Sequence, residues 1–112
     1  MKTIRLFHGT SINNVESIKK EGLKAVWEGV YLTDSIESAT RWVGFRLATQ
    51  GEKYVAVIEV EVKMDKNLVE GNDHSQFMVD IFGVGKSLLS LKSIPKSRIV
   101  NVFYYKIGGG DM

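Results

Sequence analysis

The chain contains no cysteine, which excludes a disulfide framework, a thiolate metal site and a cysteine nucleophile. No apolar run approaches the roughly 20 residues that a membrane-spanning helix needs. The opening MKTIRLFHGT has no signal-peptide core. Two histidines, His8 and His74, are too few for a histidine-rich metal site, so no metal is expected. One proline and a net charge of +2 complete the list of scarcities. What remains is ordinary for a soluble globular protein: 112 residues, 44% of them hydrophobic and 25% charged. The expectation is a soluble, cytoplasmic chain with no membrane partner. A single domain would span residues 1–107, and 108–112 would form a flexible glycine-rich tail.

The small net charge hides an uneven distribution. Residues 31–80 carry five Lys/Arg against nine acids, whereas residues 81–112 carry Lys86, Lys92, Lys96, Arg98 and Lys106 against Asp111 alone. A basic C-terminal third suits a phosphate-bearing ligand or nucleic acid, and a merely solvated surface would look the same.

Periodicity places the elements. Thr3–Phe7 reads as a short strand that runs into His8-Gly9-Thr10. Asn13 and Glu16 have capping-box spacing for a helix with Ile12, Val15 and Ile18 on one face, and Gly22 supplies its stop. Val30–Leu32 is a second strand. Asp34 and Glu37 repeat the cap spacing before a helix that reaches Thr49, with Ile36, Ala39, Val43 and Leu47 three to four apart. Gln50-Gly51-Glu52 is a turn. Tyr54–Val62 is the clearest strand, residues 63–85 are ambiguous, and Ser87–Leu91 and Arg98–Lys106 are two more strands around Pro95. Helices early and strands late give an α+β fold with a mostly antiparallel split sheet and two short helices in the N-terminal half.

The most distinctive residues lie in the first 42: Leu6-Phe7-His8-Gly9-Thr10-Ser11, then Ile18–Leu23, Gly29-Val30-Tyr31-Leu32-Thr33-Asp34, Ala39 and Trp42. Together they resemble the ADP-ribosyltransferase superfamily, in particular its diphtheria-toxin and poly(ADP-ribose) polymerase branch. The resemblance covers roughly residues 5–62, with a weaker echo at 87–104. It implies NAD as substrate and a mono-ADP-ribosyltransferase acting on a protein or nucleic-acid acceptor, like a minimal bacterial or phage effector. A phage-encoded member would work in the host-cell cytoplasm. By position, His8 would hydrogen-bond a ribose hydroxyl and Gly9 the nicotinamide carboxamide, with Thr10 or Ser11 on the adenosine side. Tyr31 and Trp42 would stack on the nicotinamide, beside Leu32 and Thr33.

The family's late glutamate has no counterpart. Ser87 stands near its position, and the segment from Ile81 to Arg98 contains no acid. Three readings stay open. The acid comes from Asp80, Glu70 or Asp73; Ser87 positions the substrate without one; or the protein binds NAD, ADP-ribose or a protein partner without turnover, as an inhibitor-type relative would. RNA 2′-phosphotransferases, which resemble the same superfamily, are a further alternative, to which the basic patch would offer phosphate contacts.

Two other patterns have plainer explanations. Glu59 and Glu61 resemble a paired-glutamate motif, but strand alternation puts both on one side, as on a solvated strand face. Gly85-Lys86-Ser87 resembles the end of a phosphate loop, yet Asp80 occupies the position of that loop's first glycine. His74, with only Asp73 beside it, reads as a loop residue.

Overall fold

A computed structural model describes residues 2–25, 29–70 and 87–107, with the backbone alone for Trp42, Glu70 and Ser87. The expectations placed on Asp73, His74, Asp80, the glycines of the loop before Ser87 and the tail from Gly108 lie outside the described residues. The strands are β1 (Thr3–Ser11), β2 (Val30–Thr33), β3 (Tyr54–Lys63), β4 (Leu68–Glu70), β5 (Ser87–Ser90) and β6 (Ile99–Lys106). The α-helices are α1 (Val15–Glu21) and α2 (Ile36–Thr49). All six strands form one sheet in the order β4-β5-β2-β1-β3-β6, and every neighbouring pair is antiparallel.

The longest ladder explains why β1 outruns its sequence signal. Nine positions pair it with β3, from Thr3 opposite Lys63 to Ser11 opposite Val55. The strand therefore continues through His8-Gly9-Thr10, because partnered backbone groups outweigh the poor strand propensity of glycine. With β2 the same strand is paired only at Phe7 and Thr33.

Strand β3 lies between β1 and β6, and Val55 to Val60 are buried without interruption. Alternation fails there because both faces of the strand are covered. On one face Ile58, Val60 and Val62 join Leu6, Val30, Leu32 and Ile94, together with Ile18 of α1. On the other, α2 lies across β1 and β3.

Capping differs from the expected spacing at both helices. Ser11 accepts from the Asn13 N–H at 3.2 Å and opens a 3-10 turn over Ile12–Asn14, so α1 starts later than an Asn13 cap would place it. Ile12 is exposed, not on the buried face. At α2 the cap is Ser35, whose hydroxyl accepts from the Ser38 N–H at 3.1 Å, in place of Asp34. Serine wins by position: its extended backbone aims the short hydroxyl back at the first turn. Gly22 does end α1, at φ 80°, where a side chain would also meet the Ile94 carbonyl.

Glu59 corrects the expected solvated face. Its residue is 8% exposed, it accepts from Asn101 Nδ2 at 2.9 Å, and Arg5 Nη1 stands 3.7 Å away. Glu61 is on the same side, as alternation requires, and accepts from the Thr3 hydroxyl at 2.8 Å. Arg5 thus faces both carboxylates, its Nε 3.8 Å from Glu61. Partners on β1 and β6 allow a carboxylate to sit in this part of the sheet.

Candidate functional site

The structure brings His8, Gly9 and Tyr31 together where β1 and β2 part. Continuing the Phe7–Thr33 register would set Gly9 opposite Tyr31. Instead the His8 ring spans the gap, its Nδ1 2.8 Å from the Tyr31 carbonyl oxygen. A carbonyl only accepts, so Nδ1 carries the proton. The other residues of the N-terminal motif have structural partners. Thr10 is buried and accepts from Asn14 Nδ2 at 3.0 Å, and Ser11 donates to Glu52 at 2.6 Å as well as capping. Leu32 is fully buried in the core. The Thr33 hydroxyl donates to the Ser35 carbonyl at 2.9 Å, at the start of α2. Gly9 lies directly under α2. Trp42 is carried by α2, and Ser87 opens β5 opposite Thr33.

Partial burial of the His8 ring pulls its pKa below the ordinary 6.5; the Tyr31 hydrogen bond opposes this, and Arg46 adds to the lowering. The folded state therefore holds a proton on His8 less readily than the unfolded chain. Stability from the neutral ring is complete above the unfolded pKa and is lost as pH falls from about 6.5 toward the depressed folded value. Urea unfolding at pH 7.5 and 5.5 should show the wild type weaker at the lower pH. A His8→Gln variant should show a smaller difference, and an equal pH dependence in both would refute this role.

A second feature collects charge. A cleft of about 210 Å³ lies between the end of β3, the turn before β4 and the segment that follows β5. Val62, Leu68, Ile94 and Pro95 give it apolar walls, and among the described residues Lys63, Lys92 and Arg98 line it together with one carboxylate, that of Asp65. That carboxylate is engaged locally, accepting from the Asn67 N–H at 2.9 Å. Among the described residues, none of the three cations forms an ion pair. Lys96 lies on the 3-10 turn that contains Arg98.

The cleft walls are tied to the frame. Leu91 N–H donates to the Asn67 carbonyl at 2.7 Å, Leu23 and Ile94 exchange two bonds of 2.8 Å, and the Ser93 hydroxyl accepts from Ala25 N–H at 2.7 Å. Such a site presents positive charge at fixed positions, which suits a polyanion more than a lone diffusing ion. The charge count along the chain found Lys92, Lys96 and Arg98. It missed Lys63, which only the β1–β3 ladder and the following turn bring to the same place.

No protein-family model matches the chain. Among curated proteins it is similar to the large ribosomal subunit protein uL16 of Blochmanniella pennsylvanica (strain BPEN), at 27% identity over 93% of this chain and 79% of that protein. Among the described residues, no helix is long and apolar enough to cross a membrane. The likeness to uL16 runs through nearly the whole sequence and overturns the ADP-ribosyltransferase resemblance. With it go the transferase and effector functions and NAD with its acceptor as partners. The phosphotransferase and inhibitor-type alternatives were branches of that resemblance and fall with it. The physical reason lies in the motif itself: packing beneath α2, two helix starts and the core already call for glycine, hydroxyl and leucine at Gly9, Thr10, Ser11, Leu32 and Thr33.

Proposed function

We propose that the protein acts by binding, as a cytoplasmic component of the large ribosomal subunit that lays its basic cleft against ribosomal RNA. The observation that carries this reading is the similarity to a large-subunit protein along 93% of the chain. The cleft supplies suitable chemistry, with Lys63, Lys92 and Arg98 beside apolar walls. RNA presents phosphates at regular intervals and is recognised largely through its backbone and shape. A preformed basic surface can meet that backbone without reading a base.

Binding of the purified chain to isolated large subunits, followed by sedimentation at increasing salt, tests the proposal. The chain should travel with the large subunit at low salt and dissociate progressively as salt rises, because phosphate contacts release counterions. Small subunits should retain less of it. A chain that stays at the top of the gradient at every salt concentration, with large subunits and their RNA alike, would end this reading.

A further inference from the structure

Phosphate contacts use only part of the basic cleft. A phosphate pressed against Val62, Leu68, Ile94 and Pro95 would give up water without gaining a partner. A duplex turns its bases inward and has nothing to cover those walls. An unpaired base does, because its faces stack on apolar side chains while its edge forms hydrogen bonds. At about 210 Å³ the cleft is smaller than the roughly 300 Å³ at which sites for drug-sized ligands begin, so it takes one ring system and no length of chain.

Two polar residues of the lining select the edge. Asp65 and Asn67 share one hydrogen-bonded turn: Asp65 Oδ1 accepts from the Asn67 N–H at 2.9 Å, and its backbone carbonyl accepts from the Leu68 N–H at 3.0 Å. A carboxylate has lone pairs for about four hydrogen bonds, and among the described residues that turn uses only one of them. The Asn67 backbone carbonyl is engaged by the Leu91 N–H at 2.7 Å, whereas its side-chain amide has no hydrogen bond among the described residues.

Resting on the reading of this cleft as an RNA surface, we propose that it takes one unpaired guanosine, with the base against the apolar walls and its edge toward Asp65 and Asn67. Guanine is the one RNA base that sets two adjacent donors, N1–H and the 2-amino group, beside an acceptor, O6. The Asp65 carboxylate takes the two donors and the Asn67 amide donates to O6. Adenine would turn its N1 lone pair toward the carboxylate, and uracil would bring an oxygen on either side of its single donor. Lys63, Lys92 and Arg98 hold the flanking phosphates, which the Asp65 charge repels from its own end of the cleft.

Fluorescence anisotropy with RNA hairpins tests this, each hairpin carrying a uridine loop with one guanosine, inosine or adenosine, beside a fully paired duplex of the same length. Inosine differs from guanosine only by the missing 2-amino group. The guanosine loop should bind roughly fivefold or more tightly than the others, the scale of a well-made base contact. In Asp65→Asn the guanosine and inosine loops should bind alike. That variant keeps an oxygen for the Asn67 N–H, so circular dichroism should be unchanged, and the inosine comparison in the wild type carries the test alone if it does not fold. Guanosine monophosphate should displace the guanosine loop only at concentrations well above the RNA's Kd, since it lacks the second phosphate. Equal, salt-sensitive binding of every RNA would overturn the guanosine pocket and leave the RNA reading standing; so would a guanosine preference that persists in folded Asp65→Asn. Binding of no RNA would end both, and displacement by guanosine monophosphate at or below the RNA's Kd would make a free nucleotide the occupant and overturn the RNA pocket.

Discussion

Alanine at Gly9 is expected to destabilise the protein by about 1–3 kcal/mol, the usual cost of forcing extra volume into a packed interior. The added Cβ would lie 2.5 Å from the Ala39 carbonyl oxygen and 3.0 Å from a Val43 methyl. The Val43 methyl can rotate away. The carbonyl belongs to the α2 backbone, and moving it means shifting the helix or drawing β1 from a nine-position ladder. At this chain length each kcal/mol corresponds to roughly 4–8 °C in Tm, so thermal unfolding followed by circular dichroism will resolve the effect. Gly44→Ala is the matched control. It lies in α2, its added Cβ meets only the Ile107 side chain at 3.3 Å or more, and alanine is favoured over glycine in a helix by about 1 kcal/mol. That variant should be neutral or slightly stabilised. Equal losses in both would mean that close approach at Gly9 is not what the fold requires.

Gly9 also shows why function was harder to read than structure. A glycine after a strand histidine has the same letter whether it admits a ligand or a helix. The sequence carries the requirement for close approach and omits what approaches. Local features were more legible. The end of α2 at Thr49, the stop at Gly22 and the strand from Tyr54 follow from nearby residues alone. Caps were displaced: Ser35, in extended backbone, caps α2 one position after Asp34, and Ser11, also extended, caps the 3-10 turn that precedes α1 in place of a cap at Asn13. Features that depend on distant partners were not legible. Glu59 is buried because Arg5 and Asn101 come to it from β1 and β6. Lys63 reaches the cleft because a turn folds the chain from β3 into β4. The basic bias of the C-terminal third was visible by counting, whereas the cleft that gathers part of it exists only in the folded sheet.

That gathering carries the second large effect. Replacing Lys92 and Arg98 together by alanine is expected to weaken binding to large-subunit RNA roughly 50-fold near 0.1 M salt, through lost counterion release at about two phosphate contacts. The same variant should flatten the plot of log K against log salt by between about 1.4 and 1.8, since each contact contributes about 0.7–0.9 to the slope. The loss should be similar for every RNA sequence tried, because contacts of this kind hold the backbone without reading bases. Lys53→Ala provides the comparison. That lysine precedes β3, which places it roughly 30 Å along the strand from Lys63, and its removal should leave the affinity nearly unchanged. Arg98 is only partly exposed, so its variant needs a check of fold before binding is measured. A folded double variant with unchanged affinity and slope would show that RNA does not engage this cleft. A flatter slope at unchanged affinity would mean that the lost contacts were replaced by apolar ones at the walls formed by Val62, Leu68, Ile94 and Pro95.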